Sequence, residues 1–223
     1  MTDIKESLND SEIIGLVIPD IAYDEKLVEV AGNISKNYDN ILYISIDKPF
    51  DKLVDKFKKN KINCDNFHFI DCITHTLKKP EPCEKCTYVS SPRAFDEVHG
   101  AISDVLKKRE IDIVLIDSPS SLLTYYERMD VLKFIHILMI KLLTANCKGI
   151  FPFPRESGES FKRSVEMFTD KVVYLPDEIP GSNANPDLSR QNFSEISNLL
   201  LIVPEIALIF KSRLMGFISR CGF

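Results

Sequence analysis

One stretch constrains this chain more than any other: Ile111-Asp112-Ile113-Val114-Leu115-Ile116-Asp117-Ser118, a mostly apolar, β-branched run that ends on a carboxylate and a hydroxyl. It is too short for a helix and apolar at successive positions, so both faces must be covered. That is the condition of a central strand in a parallel sheet with helices on each side. Asp117 then emerges at the strand's carboxyl end, the edge outside which ligands sit in open α/β sheets. A terminal Asp followed by Ser118 is also the arrangement that holds magnesium in metal-nucleotide chemistry. The competing reading of the same residues is a strand that stops at a polar turn.

The flanking sequence repeats the pattern. Residues 13–18 form a short apolar run closed by Pro19, and Asp24 caps a helix whose apolar face is Leu27, Val28, Ala31 and Ile34. Residues 41–46 form the next strand, ending at Asp47-Lys48-Pro49, and Phe50, Leu53, Val54 and Phe57 mark one face of the following helix. Residues 67–72 give a third strand. A long loop with Pro80 and Pro82 then leads to Ser91-Pro92, a cap and first-turn pair, and to a helix carrying Phe95, Val98, Ile102, Val105 and Leu106 inward.

The central run comes fourth. Residues 131–143 after it are apolar on nearly all sides, which predicts a helix buried between the sheet and something else. Residues 149–153 are a fifth strand whose Pro152 suits an edge or a strand end; a helix around Phe161, Val165 and Phe168 leads to a sixth at 172–175. This alternation predicts an α/β fold: a three-layer parallel sheet with helices on both faces.

Composition bounds the rest. The chain has 223 residues, enough for one large domain with an appendage, and its 44% hydrophobic and 27% charged content is that of a globular protein. A net charge of −5 supplies no overall positive field, so no nucleic-acid partner is expected. Residues 1–12 are polar and acidic, unlike a secretory leader, which points to a cytoplasmic protein whose six cysteines are thiols or metal ligands. Residues 1–175 read as the α/β domain and residues 176–192, with three prolines and three asparagines, as a linker. Residues 193–223 read as an apolar C-terminal helix. Its run at 199–210 carries Pro204 and Glu205 and falls short of the ~20 residues that span a bilayer. In order of preference it packs on its own domain, docks a partner or second copy, or lies in a membrane interface with Lys211, Arg213 and Arg220 toward lipid phosphates.

The strand order, with an Asp closing the fourth strand, resembles the RecA-type P-loop ATPase core, and within it the KaiC-like branch. The resemblance runs from about Ile13 to Leu175. It is carried by Ile41-Leu42-Tyr43-Ile44-Ser45-Ile46-Asp47, similar to the family's strand ending in an acidic pair, and by residues 113–123, similar to its Walker B strand and turn. Where the family has its phosphate loop, this chain has Pro19-Asp20-Ile21-Ala22-Tyr23-Asp24-Glu25-Lys26-Leu27. A working loop needs glycines, so that successive N–H groups wrap the phosphates, and a Lys followed by Ser or Thr. No glycine is present, and Asp20, Asp24 and Glu25 place carboxylates where ATP's phosphates would sit, with Lys26 able to offset one of them. The family's acidic pair aligns with Asp47-Lys48, its second charge reversed. The resemblance thus implies a degenerate ATPase that needs no cofactor and acts as a regulatory or assembly partner, with an intact ATPase paralogue or another copy as its partner. The alternative is a weak ATPase or nucleotide sensor that binds ATP through Asp117, Asp47 and Lys26.

A second constellation is independent of that likeness. Cys72, His75, Cys83 and Cys86 have the spacing of a tetrahedral Cys₃His zinc site, which would stiffen the loop after the third strand; the plain alternative is a surface loop with ordinary thiols. His68 and His136 read as satisfied core residues, and Ser118, Ser120 and Ser121 as shaping the turn after the central strand.

Overall fold

The structure, a computed structural model, describes residues 4–157 and 159–177. Its seven strands form one all-parallel sheet: β1 (Ile13–Ile18), β2 (Ile41–Ser45), β3 (Phe67–Asp71), β4 (Cys86–Tyr88), β5 (Ile113–Asp117), β6 (Lys148–Pro154) and β7 (Lys171–Tyr174), in the spatial order β4-β3-β2-β5-β6-β1-β7. Between them lie α1 (Ile4–Asn9), α2 (Tyr23–Ile34), α3 (Phe50–Lys59), α4 (Thr74–Leu77), α5 (Phe95–Lys108), α6 (Arg128–Thr144) and α7 (Glu159–Glu166).

Alternate residues of each strand feed two separate cores, as the period of two requires. Ile13, Val17, Leu42, Ile44, Val114 and Ile116 pack with α5 and α6, whereas Ile14, Leu16, Ile41, Tyr43, Ile113 and Leu115 pack with α1, α2 and α3. This is the expected three-layer α/β architecture, with β5 fully buried between β2 and β6. Odd-numbered β5 residues face α2 and α3, so Asp117 inherits that face.

Five local expectations need correction. There are seven strands, not six, because Cys86–Tyr88 adds parallel to β3 at the sheet edge; three residues in a loop leave no periodic signal. Asp24 does not cap α2, which starts at Tyr23 with Ala22 in the cap position; separately, the polar N-terminus forms α1, whose Ile4 and Leu8 are buried. Ser91 does not cap α5. Its Oγ accepts from the Arg93 N–H at 3.1 Å, and the helix starts later, at Phe95. Pro152 lies in an interior strand, paired in register with Leu16 of β1. The ladder explains this: Lys148 donates its N–H toward the β5 side and Gly149 toward the β1 side, so alternation turns Pro152 toward β5, where pairing has already stopped at Ile150. The greater part of the expected linker and the expected helix at 193–223 lie outside the described residues. Among those residues no helix is long and apolar enough to cross a membrane.

Two glycines test the packing in opposite directions. A Cβ on Gly149 would come within 2.9 Å of Ile13, Leu142 and Phe151 at once, whereas one on Gly100 of α5 would meet nothing within 4 Å. Urea unfolding should therefore show Gly149→Ala destabilised by about 1–3 kcal/mol through overpacking. Gly100→Ala should be stabilised by about 0.5–1 kcal/mol through helix propensity.

Candidate functional site

The carboxyl edge of the sheet gathers the polar residues that the sequence singles out, at the ends of β1, β2 and β5. Asp117 has no exposed surface. Its Oδ2 accepts from the Tyr43 hydroxyl at 2.8 Å and from the Lys48 ammonium at 3.1 Å, while Oδ1 has no partner among the described residues. Tyr43 is available because β2 and β5 run in register, with Tyr43 beside Leu115 on the same core face.

Lys48 follows β2 and reaches two acids at once, Asp117 at 3.1 Å and Asp24 at 2.9 Å. Asp24 lies in the first turn of α2, is half-exposed, and also meets Lys56 of α3 at 3.5 Å. The Tyr23 hydroxyl is buried beside Ser118, and burial first and the Asp117 carboxylate second raise its pKa. Two tyrosines, two acids and one ammonium thus join β2, β5 and α2.

The electrostatics follow from burial. Desolvation pushes the Asp117 carboxyl up to about 6, an effect that Lys48 and the Tyr43 hydroxyl oppose and Asp47 reinforces. For Lys48 burial works toward the neutral amine, but Asp117, Asp47 and Asp24 together outweigh it and raise its pKa. Lys48 and Asp24 hold each other charged, and Asp24 stays below the usual carboxylate range despite its own desolvation. At neutral pH the Lys48–Asp117 pair is ionised on both sides.

Other residues singled out in the sequence fall elsewhere. Pro19 is buried, and a 3₁₀ turn over Asp20–Ala22 follows it. Asp20 turns to the end of β6, accepting from the Glu156 N–H at 3.1 Å. Glu25 is exposed. Lys26 is buried along α2 and bonds Glu29 at 3.2 Å, one turn away from the loop it would have to serve. Asp47 is exposed and accepts from the Ser121 hydroxyl at 2.9 Å. Ser118 and Ser120 join their hydroxyls at 2.9 Å, as a turn-shaping pair does.

Cys72, His75, Cys83 and Cys86 do not assemble into the expected zinc site. Cys72 belongs to the core on the α5 and α6 face and Cys86 to the core on the opposite face, while His75 is exposed. Burial raises the pKa of both core thiols, against the thiolate form a metal requires. Among the described residues no three His, Cys, Asp or Glu side chains converge on a metal position. The loop is held instead by the β4 ladder and by Cys83, packed against the α1–α3 core. His136 also departs from expectation: it is exposed and stacks on Phe168, centroids 4.4 Å apart. His68 is buried and bonds Thr87 at 3.0 Å.

The raised Asp117 pKa carries a sign. A carboxyl that holds its proton more tightly when folded stabilises the native state most below its unfolded pKa near 3.8, and this contribution is lost as pH rises through about 6. Urea titrations at pH 4 to 7 should show wild type losing about 2 kcal/mol relative to Asp117→Asn across that interval, which begins just above the unfolded pKa, from ~1.4 kcal/mol per pKa unit. Parallel pH profiles for the two proteins would contradict the assignment.

No protein-family model matches the chain, and no curated protein matches it. Solved structures do. A KaiC-like protein from the hyperthermophilic archaeon Pyrococcus horikoshii OT3 superposes with a TM-score of 0.55 at 12% identity, over 76% of this chain and 75% of that one. The flagellar accessory protein FlaH of Methanocaldococcus jannaschii gives a TM-score of 0.45 at 13% identity, over 77% of this chain and 74% of that one. With its all-parallel sheet and helices on both faces, the chain has the RecA-like α/β fold of the KaiC-like protein.

Proposed function

We propose that this RecA-like domain does not hydrolyse ATP and works by contact with other proteins, as a regulatory or assembly partner. The observation that carries the reading is the Lys48 ammonium, held between Asp117 and Asp24 where β5 meets the first turn of α2. A magnesium nucleotide needs an acid free to organise the metal and a helix N-terminus free to receive phosphate. Here the acid is engaged from within the chain, and the helix terminus carries Asp24 and Glu25.

The turn itself supports the same conclusion. Pro19 has no N–H to offer, and the Ala22 N–H is taken by the Pro19 carbonyl at 3.2 Å. Lys26, which could have met a phosphate, is bonded to Glu29. Each carboxylate within ~4 Å of a phosphate charge would cost about 1–4 kcal/mol. These residues do not fit a bound nucleotide.

Protein contact is supported from the opposite face. The outer side of α6 exposes Met129, Ile137, Ile140 and Leu143, apolar groups at the spacing with which one helix packs on another. The apolar character of this helix is thus only half used by the sheet beneath it.

Calorimetry of the full chain with Mg-ATP decides between this reading and a nucleotide sensor built on Asp117 and Asp47. The expected result is no binding at millimolar nucleotide and no phosphate release. Micromolar binding abolished by Asp117→Ala would replace the proposal with the sensor.

A further inference from the structure

The reading of a nucleotide-free site leaves a question of charge. Asp117 is wholly buried, Asp24 stands across from it, and Asp47 is near enough to raise the basicity of Lys48. Asp47 itself is exposed and turned to Ser121, so two carboxylates, Asp117 and Asp24, face each other across one small gap, and carboxylate oxygens are the donors a hard divalent cation such as Mg²⁺ or Mn²⁺ prefers. Between Asp117 and Asp24 lies the ammonium of Lys48, within 3.1 Å of the first and 2.9 Å of the second. A second observation shows the acids incompletely served by it. Asp117 Oδ1 is buried with no hydrogen-bond partner among the described residues.

We propose that Lys48 is a tethered cation which holds the position of a divalent metal between Asp117 and Asp24, making the site independent of metal and closing it to metal. The inference rests on the nucleotide-free reading and adds what fills the place. An ammonium supplies one charge where a divalent ion supplies two, and it contacts one oxygen of each acid. The unused Asp117 Oδ1 is the expected residue of that exchange. In return the ammonium is covalently attached, so α2, β2 and β5 remain joined whatever the metal concentration.

The test uses Mn²⁺ alone, followed by electron paramagnetic resonance of the free ion, with no nucleotide present. The full wild-type chain should bind no Mn²⁺ at this site up to millimolar concentration. Lys48→Ala should gain one Mn²⁺ per chain, at least tenfold tighter than wild type, and Lys48→Ala with Asp117→Asn should lose it again. If Lys48→Ala does not fold in metal-free buffer, recovery of its circular dichroism on adding Mn²⁺, absent in the double variant, supports the proposal equally. Three results overturn it: wild type binding Mn²⁺ as tightly as Lys48→Ala, a folded Lys48→Ala with no gain, or an unfolded Lys48→Ala that Mn²⁺ does not restore. Since no nucleotide takes part, the Mg-ATP titration of wild type stands or falls separately.

Discussion

A carboxylate with no exposed surface has to be compensated from inside the protein, and the carboxyl edge of this sheet is arranged around that requirement. An isolated buried charge is prohibitively costly, and removing one partner of a buried pair typically costs about 3–5 kcal/mol. Asp117 is answered by Lys48 and the Tyr43 hydroxyl, and Lys48 is answered in turn by Asp24. The chain of contacts fixes where α2 begins relative to β2 and β5. It also explains why Lys48 can be partly buried and charged: the acids around it outweigh the water it gives up.

Much of this fold is legible in the sequence because a doubly covered sheet has a simple signature. Strands such as β1 and β5 must be apolar on both faces, and their successive residues do supply two cores. What escapes that signature has a physical reason in each case. The three residues of β4 are too few for a period, and α1 hides two core residues, Ile4 and Leu8, among polar neighbours. Pro152 misleads because a proline is excluded from an interior strand only where its missing N–H would have had a partner. At this point β5 has already stopped pairing.

The site was less legible than the sheet. Asp117 can be placed from strand polarity alone, and Lys48 stands out as a reversed charge beside Asp47, but nothing local says that Lys48 would reach both Asp24 and Asp117. Tyr43 was recoverable in principle: counting by twos along β2 puts it on the face that Asp117 shares. Tyr23 was not, since its place depends on where α2 begins. The residues Cys72, His75, Cys83 and Cys86 illustrate the opposite error. Spacing along the chain satisfied the requirement for zinc, yet the sheet's two faces separate Cys72 from Cys86.

Asp71 supplies the comparison that gives Asp117 its meaning. Both are buried acids that close a strand of the same sheet. Asp71 Oδ1 accepts from the N–H groups of Ile73 and Thr74, and Oδ2 from the Phe50 N–H and the Thr74 hydroxyl. Both oxygens are therefore consumed in holding the first turns of α3 and α4. Three of those four donors are fixed backbone groups, and they leave no room for any other role. Asp117 draws instead on two side chains and keeps one oxygen unserved. Burial and position are common to the two residues, so neither marks a functional acid. The difference lies in the donors: an acid bonded to the backbone at both oxygens belongs to the scaffold. One bonded through a movable ammonium stands where the fold admits a substitute for that ammonium.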